Sequence, residues 1–172
     1  MRLEEVTGRD LPELHRLIER AYRGDTARGG WSHEADLLTG PRTSIPELAD
    51  HLSAPARRLL CWRQDGSIRA SVLLQDKGDG LIYLGMLTVD PELQAQGIGK
   101  RLLAAAEEYA RAEWSAARME MQVFSSRREL LSFYQRRGYR LTGERRPFPY
   151  AEAPDAGALH PDLEFVVLEK QL

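Results

Sequence analysis

The stretch Gln94-Ala95-Gln96-Gly97-Ile98-Gly99-Lys100 follows an apolar run closed by Asp90-Pro91 and opens a segment of helical period. A glycine-rich turn feeding a helix leaves backbone N–H groups unpaired at the positive end of the helix dipole. Such a turn binds phosphate or pyrophosphate with few charged side chains, and Lys100 and Arg101 add positive charge there. A P-loop needs Gly five residues before its Gly-Lys pair and Ser or Thr after it; Gln94 and Arg101 occupy those places. A dinucleotide fingerprint needs a third glycine three residues beyond Gly99, where Leu102 stands. The loop taken alone therefore reads as an anion-binding helix start or as a turn without a ligand.

A second motif lies downstream. Leu131-Ser132-Phe133-Tyr134-Gln135-Arg136-Arg137-Gly138-Tyr139 has helical character, with Gly138 where a helix end takes a left-handed residue. Gln94-x-x-Gly97-x-Gly99 and this segment, in this order and joined by a helix and a strand, resemble the GNAT acyltransferase superfamily. That family's acyl-CoA pyrophosphate loop reads Gln/Arg-x-x-Gly-x-Gly/Ala, and its later helix carries Leu-Tyr, three residues, Gly and an aromatic. The resemblance runs from the second strand to the end of the chain and covers the first helices more loosely. It implies an α/β fold: a mixed, mostly antiparallel central sheet flanked by helices. That sheet is splayed between the strand ending at Val89 and the one starting near Arg118, with pantetheine in the gap. Arg127 departs from the pattern, because the family often has Asn seven residues before the tyrosine; an arginine there is suited to meet a phosphate.

The resemblance implies acetyl-CoA, or another acyl-CoA, as co-substrate and no metal. It places Leu87, Thr88, Val89, Gln94, Ala95, Gln96, Gly97, Ile98, Gly99, Lys100, Arg127 and Tyr134 against that molecule. Backbone N–H groups of Leu87, Thr88 or Val89 would meet the thioester oxygen, in line with oxyanion stabilisation generally. Tyr134 would be the general acid for the leaving thiolate. An alkyl amine has a pKa near ~10 and arrives protonated, so a base is needed; Glu34, Asp36 and Glu120 are the available carboxylates, with Glu34 and Glu120 the ones chosen and His33 a further option. Glu120 has an even chance of facing the cleft, because strand residues alternate sides. Trp31, Asp36 and Arg42 are the expected acceptor-binding residues, and Phe148 and Tyr150 also lie in a pocket-forming loop. The expected function is acetyl transfer to a primary amine of a small molecule or peptide. The alternative is a non-catalytic acyl-CoA sensor of the same fold, and a purely structural protein is a third reading.

The elements that must position these residues follow from pattern. Asp10-Leu11-Pro12-Glu13 and Ser44-Ile45-Pro46-Glu47 both read as helix starts of the capping-box type. Met1–Val6, Leu59–Arg63, Ile68–Leu74, Leu81–Val89, Arg118–Phe124, a segment from Tyr139 and Leu163–Leu168 read as strands, with Asp65-Gly66 at a hairpin turn. Helices are expected from Gly97 to Trp114 and from Ser126 to Arg137. Gly24–Gly30 reads as a polar break, Trp31–Leu38 as a loop or short helix, and Pro147–Pro161 as a surface loop. With 172 residues and no linker, a single domain over 1–172 is expected.

The net charge of -2 argues against a nucleic-acid footprint. Cys61, the single cysteine, excludes an internal disulfide and a cysteine metal cluster, and its apolar neighbours make it a small buried hydrophobe. No signal-like N-terminus is present and no stretch approaches ~20 apolar residues, so a cytoplasmic location without membrane contact is expected. Dimers are common among similar proteins, and the last strand with its neighbouring loop offers a contact for one.

Overall fold

The structure is a computed structural model that describes residues 1–23, 34–93 and 95–172. In chain order the elements are β1 (Glu4–Glu5), α1 (Leu11–Tyr22), α2 (Ile45–Ser53), β2 (Arg57–Gln64), β3 (Ser67–Asp76) and β4 (Leu81–Val89), followed by α3 (Ile98–Trp114), β5 (Arg118–Phe124), α4 (Arg128–Gln135), β6 (Arg140–Pro147) and β7 (Glu164–Gln171). The strands form one sheet in the order β1-β2-β3-β4-β5-β7-β6. Every neighbouring pair is antiparallel except β4 and β5. Those two strands are linked through α3, the crossover that a parallel pair requires.

Side chains alternate across the sheet, and the two faces carry separate cores. On one face α3 supplies Ile98, Leu102, Leu103, Ala106 and Ala110, packed with Leu60, Val72, Leu74, Ile82 and Leu84, and with Tyr134 and Tyr139. On the other face α1 and α2 supply Leu14, Leu17, Ile18, Ala21, Tyr22 and Leu48 over Leu59, Cys61, Ile68, Leu73 and Met86. Cys61 is fully buried, and burial raises its thiol pKa to about 11. It is the inert hydrophobe its neighbours suggested.

Several boundaries differ from the sequence reading. The first strand shrinks to Glu4–Glu5, because only those residues pair with Cys61 and Leu60. Asp10 precedes α1 without capping it. Its carboxylate instead accepts from the N–H and hydroxyl of Thr7, both at 2.8 Å, and from Arg63 at 2.6 Å. Ser44 does cap α2, accepting from the Glu47 N–H at 3.2 Å. The α4 helix is shorter than its period suggested, at Arg128–Gln135, and the chain leaves it through Gly138, at φ +92°. Tyr139 then donates to Glu107 of α3 at 2.9 Å while Lys170 of β7 donates to the same carboxylate at 2.7 Å, fixing α4 against both.

Two features position the site. The β4–β5 ladder holds only through Leu81–Arg118, Ile82–Met119 and Tyr83–Glu120; beyond that point the strands part. On its other side β4 carries a register shift against β3 between Ser71 and Leu73, with Met86 at φ +48°. A bulge of this kind bends a strand and interrupts its pairing. The splay expected between Val89 and Arg118 is thus present, and it opens at Leu84 and Met121.

Candidate active site

A cavity of about 680 Å³ occupies the splay. Its floor is Leu84–Leu87 of β4 and Met121–Phe124 of β5, with Tyr134, Leu130 and Arg127 on the α4 side. Tyr22, Arg23, Glu34, Arg42 and Glu47 line the opposite side, and Phe148 with the 152–156 segment closes a third.

That third wall joins two parts of the chain distant in sequence. Leu38 bridges to Ala158, and the N–H groups of Thr39 and Gly40 donate to the carbonyls of Gly157 and Ala156 at 2.9 and 2.8 Å. A Cβ on Gly40 would overlap the Asp155 carbonyl oxygen, so only glycine permits this approach. Arg23 reinforces the junction, donating to the Gly40 carbonyl at 2.7 Å and to Glu34 at 3.0 Å.

Tyr134 is buried, packed edge-on against Phe133 and Tyr139 at centroid distances of 5.2 and 5.9 Å. Its hydroxyl has no hydrogen-bond partner among the described residues, and the residue lines the cavity. Burial raises the phenol's pKa above its ordinary value, the neighbouring Tyr22 adds to this, and Arg127 opposes it. Tyr22 faces Tyr134 from the other side of the sheet. It donates to the Leu87 carbonyl at 2.9 Å, which orients the peptide beside the bulge, and burial raises its pKa to about 12.

The expected site residues separate clearly by position. Leu87, Arg127, Tyr134, Glu34 and Arg42 come together on the cavity wall. Thr88 and Val89 are buried just past it, the Thr88 hydroxyl donating to the Met86 carbonyl at 2.9 Å. Glu120 stands at the last paired position of the ladder, off the cavity wall, and pairs with Arg146 at 3.4 Å. Asp36 is exposed and does not line the cavity. Phe148 lines it, whereas the Tyr150 hydroxyl donates to the His160 carbonyl at 2.7 Å and accepts from the Leu163 N–H at 2.8 Å. Trp31, His33 and Gln94 lie outside the described residues.

The loop from Ala95 to Lys100 sits beyond the end of β4, outside the cavity wall. Ala95 and Gly97 adopt φ +69° and +73°, and Gly97 caps α3 with no side-chain hydrogen bond to its first turn. Ala95, Gln96, Gly97 and Lys100 are exposed, and a Cβ built on Gly97 meets nothing within 4 Å. A helix start without a side-chain cap leaves N–H groups of the kind that suit a pyrophosphate. The strand end is anchored by Asp90, fully buried and paired with Arg20 at 2.5 Å and Arg69 at 3.0 Å.

Residues 11–139 match the model of the acetyltransferase (GNAT) family. The chain belongs to that family. The fold is shared with solved members at low identity. The ribosomal-protein-S18-alanine N-acetyltransferase from Escherichia coli superimposes with a TM-score of 0.71 at 17% identity, over 99% of this chain and 92% of that one. The ribosomal-protein-alanine N-acetyltransferase from Brucella melitensis gives 0.73 at 13% identity over 100% of both. A GNAT family acetyltransferase from Elizabethkingia anophelis with acetyl-CoA bound gives 0.65 at 18% identity, over 80% of this chain and 89% of that one.

Tyr22, Arg23, Glu47 and Tyr83 were missed in the sequence. Tyr22 follows Ile18 on the apolar stripe of α1, a spacing that announces burial only. Arg23 and Tyr83 carry no motif, the capping pattern that includes Glu47 announces only a helix start, and chain folding alone brings the three to one cavity.

Proposed function

We propose that this GNAT protein moves an acetyl group from acetyl-CoA to the primary amine of a small-molecule or peptide acceptor by direct attack. The observation that carries this reading is the Tyr134 hydroxyl, unpartnered among the described residues, on the wall of the cavity where β4 and β5 part. The residues of the 94–100 loop would hold the pyrophosphate through backbone N–H groups, with Lys100 adding charge. When bound, acetyl-CoA supplies an activated thioester.

The bulged strand from Leu87 to Val89 offers backbone N–H groups to the oxygen on which charge develops, and preorganised donors of this kind need no rearrangement as it forms. Of the carboxylates expected as base, Glu34 is the one on the cavity wall, and it accepts a proton from the acceptor nitrogen directly or through water. Tyr134 gives its proton to the departing sulfur. Because burial raises its pKa, the phenol holds that proton until the sulfur leaves. The new C–N bond replaces the C–S bond; of the two protons that the ammonium group loses on becoming an amide, one leaves to solvent and the other restores the phenol, so the products are an amide, a thiol and one released proton.

Calorimetric titration with acetyl-CoA, followed by thiol release with a panel of amines, tests the proposal. Saturable binding and acceptor-dependent release are expected. Absence of acetyl-CoA binding would remove the donor assignment altogether.

A further inference from the structure

The charged groups on the acceptor side of the cavity are unequally satisfied. Arg23 and Glu34 pair with each other at 3.0 Å. The Glu47 carboxylate accepts from the Thr43 hydroxyl at 2.8 Å. Glu152 and Asp155 are exposed at the mouth. Arg42 alone of this group, among the described residues, has a guanidinium with no hydrogen bond and no ion pair, although it lines the cavity and is only partly exposed. Its guanidinium carbon lies over the face of Tyr22, 5.1 Å from the ring centroid, with the charges of Glu34 and Glu47 close enough to favour its protonated form.

The backbone holds Arg42 in place. Glu19 of α1 accepts from the N–H groups of Arg42 and Thr43 at 2.7 and 2.9 Å, and α2 begins immediately after. The stem is therefore clamped and the head lies over an aromatic face, yet the guanidinium makes no hydrogen bond or ion pair with a described residue. An arginine removed from water normally meets a carboxylate or phosphate.

Tyr83 adds a second donor in the same place. It lines the cavity at the last rung of the β4–β5 ladder, and its hydroxyl also lacks a partner among the described residues. Its ring lies against Gly85, where an added Cβ would come within 2.9 Å of Cε1 and 3.4 Å of the hydroxyl. The missing side chain at Gly85 lets the phenol fold along the strand into the cavity, within electrostatic reach of Arg42.

The position decides which ligand these donors serve. The 95–100 loop leads into α3, on the face packed by Leu102 and Leu103. Arg42 lies between α1 and α2, on the opposite face, packed by Leu14, Ile18 and Leu48. The phosphates of a donor held at the loop belong to the first face; an anion reaching Arg42 belongs to the acceptor.

We propose that Arg42 and Tyr83 form a subsite for a carboxylate carried by the acceptor, so that the acceptor is a small amino-acid-like molecule with its amine and carboxylate a few bonds apart. This rests on the transferase reading above. Bidentate pairing with Arg42 would orient the carboxylate and so direct the amine toward the bulge of β4.

The test compares L-amino acids with their own primary amides as acceptors, by thiol release, in the wild type, Arg42→Gln, Arg42→Lys and Tyr83→Phe. The acids are expected to exceed the amides at least tenfold in kcat/KM. Arg42→Gln should lower kcat/KM for the acids on the order of 10- to 100-fold, through KM, and bring the acid-to-amide ratio near one. Arg42→Lys should retain part of the ratio, and acetyl-CoA affinity by calorimetry should stay unchanged in all variants. Preference for amines without a carboxylate, an acid-to-amide ratio untouched by Arg42→Gln, or no turnover of any carboxylate-bearing amine while acetyl-CoA still binds would each overturn the subsite and leave the donor assignment standing. Failure of the wild-type protein to bind acetyl-CoA would instead sink the transferase reading itself.

Discussion

Replacing Tyr134 by phenylalanine separates chemistry from packing. The ring is buried between Phe133 and Tyr139, and Phe preserves those contacts. The hydroxyl makes no hydrogen bond to a described residue, so its removal strands no buried partner. The stability change should stay within ~0.5 kcal/mol, or about 1–2 °C in Tm for a chain of this size. The proton to the departing sulfur is lost, and general acids contribute on the order of 10²- to 10⁴-fold. That range corresponds to about 2.7–5.4 kcal/mol of barrier. Thiol release with the best amine of the panel should show this fall in kcat. Calorimetry should show acetyl-CoA affinity within about twofold of wild type, because a general acid acts on the transition state and not on the bound ground state. A variant with kcat near wild type would refute the assignment and reduce Tyr134 to a packing residue. A variant that melts far lower would show that the hydroxyl has a structural partner.

Asp90→Asn should lower stability by about 2–3 kcal/mol, because a fully buried carboxylate loses its charge against Arg20 and Arg69 while both arginines keep some access to water. Thermal melting should record a fall of about 5–10 °C, and an unchanged Tm would show the pairs to be inert. Gly97→Ala forces a side chain into φ +73° at a cost of roughly 1–2 kcal/mol and sets a methyl where the loop faces open space. Acetyl-CoA affinity by calorimetry should drop at least about tenfold, and undiminished affinity would exclude this loop as the pyrophosphate site. The His51 ring accepts from Arg57 at 2.9 Å, and burial together with that cation holds its pKa below 6.5. The unfolded chain thus binds the proton more readily than the fold, so stability falls as pH drops from the unfolded value through the lowered one. His51→Gln should flatten that part of the Tm–pH curve, and a slope equal to wild type would place the titration elsewhere.

Local pattern alone determined a good deal. Apolar alternation and turn chemistry marked β2 to β5, since each strand is buried on one or both faces and its period survives in the sequence. The Gly97-x-Gly99 loop and the Tyr134–Gly138 spacing carried the resemblance to the family, because a glycine turn and a helix end are each built from contiguous residues. The weaker boundaries lay where partners are remote: β1 is limited to the two residues that form ladder pairs with β2, and Asp10 is drawn from helix capping by Thr7 and Arg63.

The cavity wall around Glu34 and Arg42 was decided by tertiary structure. Glu34 and Asp36 looked equivalent two residues apart, yet one lines the cavity beside Arg23 and the other faces solvent. Glu120 had an even chance of facing the cleft, and pairing through Tyr83 with Arg146 beside it keeps it off the wall. Arg42 was expected in the pocket by type and position alone, and the fold adds that α1 clamps its backbone and that its guanidinium lies over the Tyr22 ring. A motif records contacts made by neighbours in the chain, whereas the charge balance of a cavity is the sum of side chains from α1, the α2 entry, β4 and β5. That sum exists only once the sheet has parted.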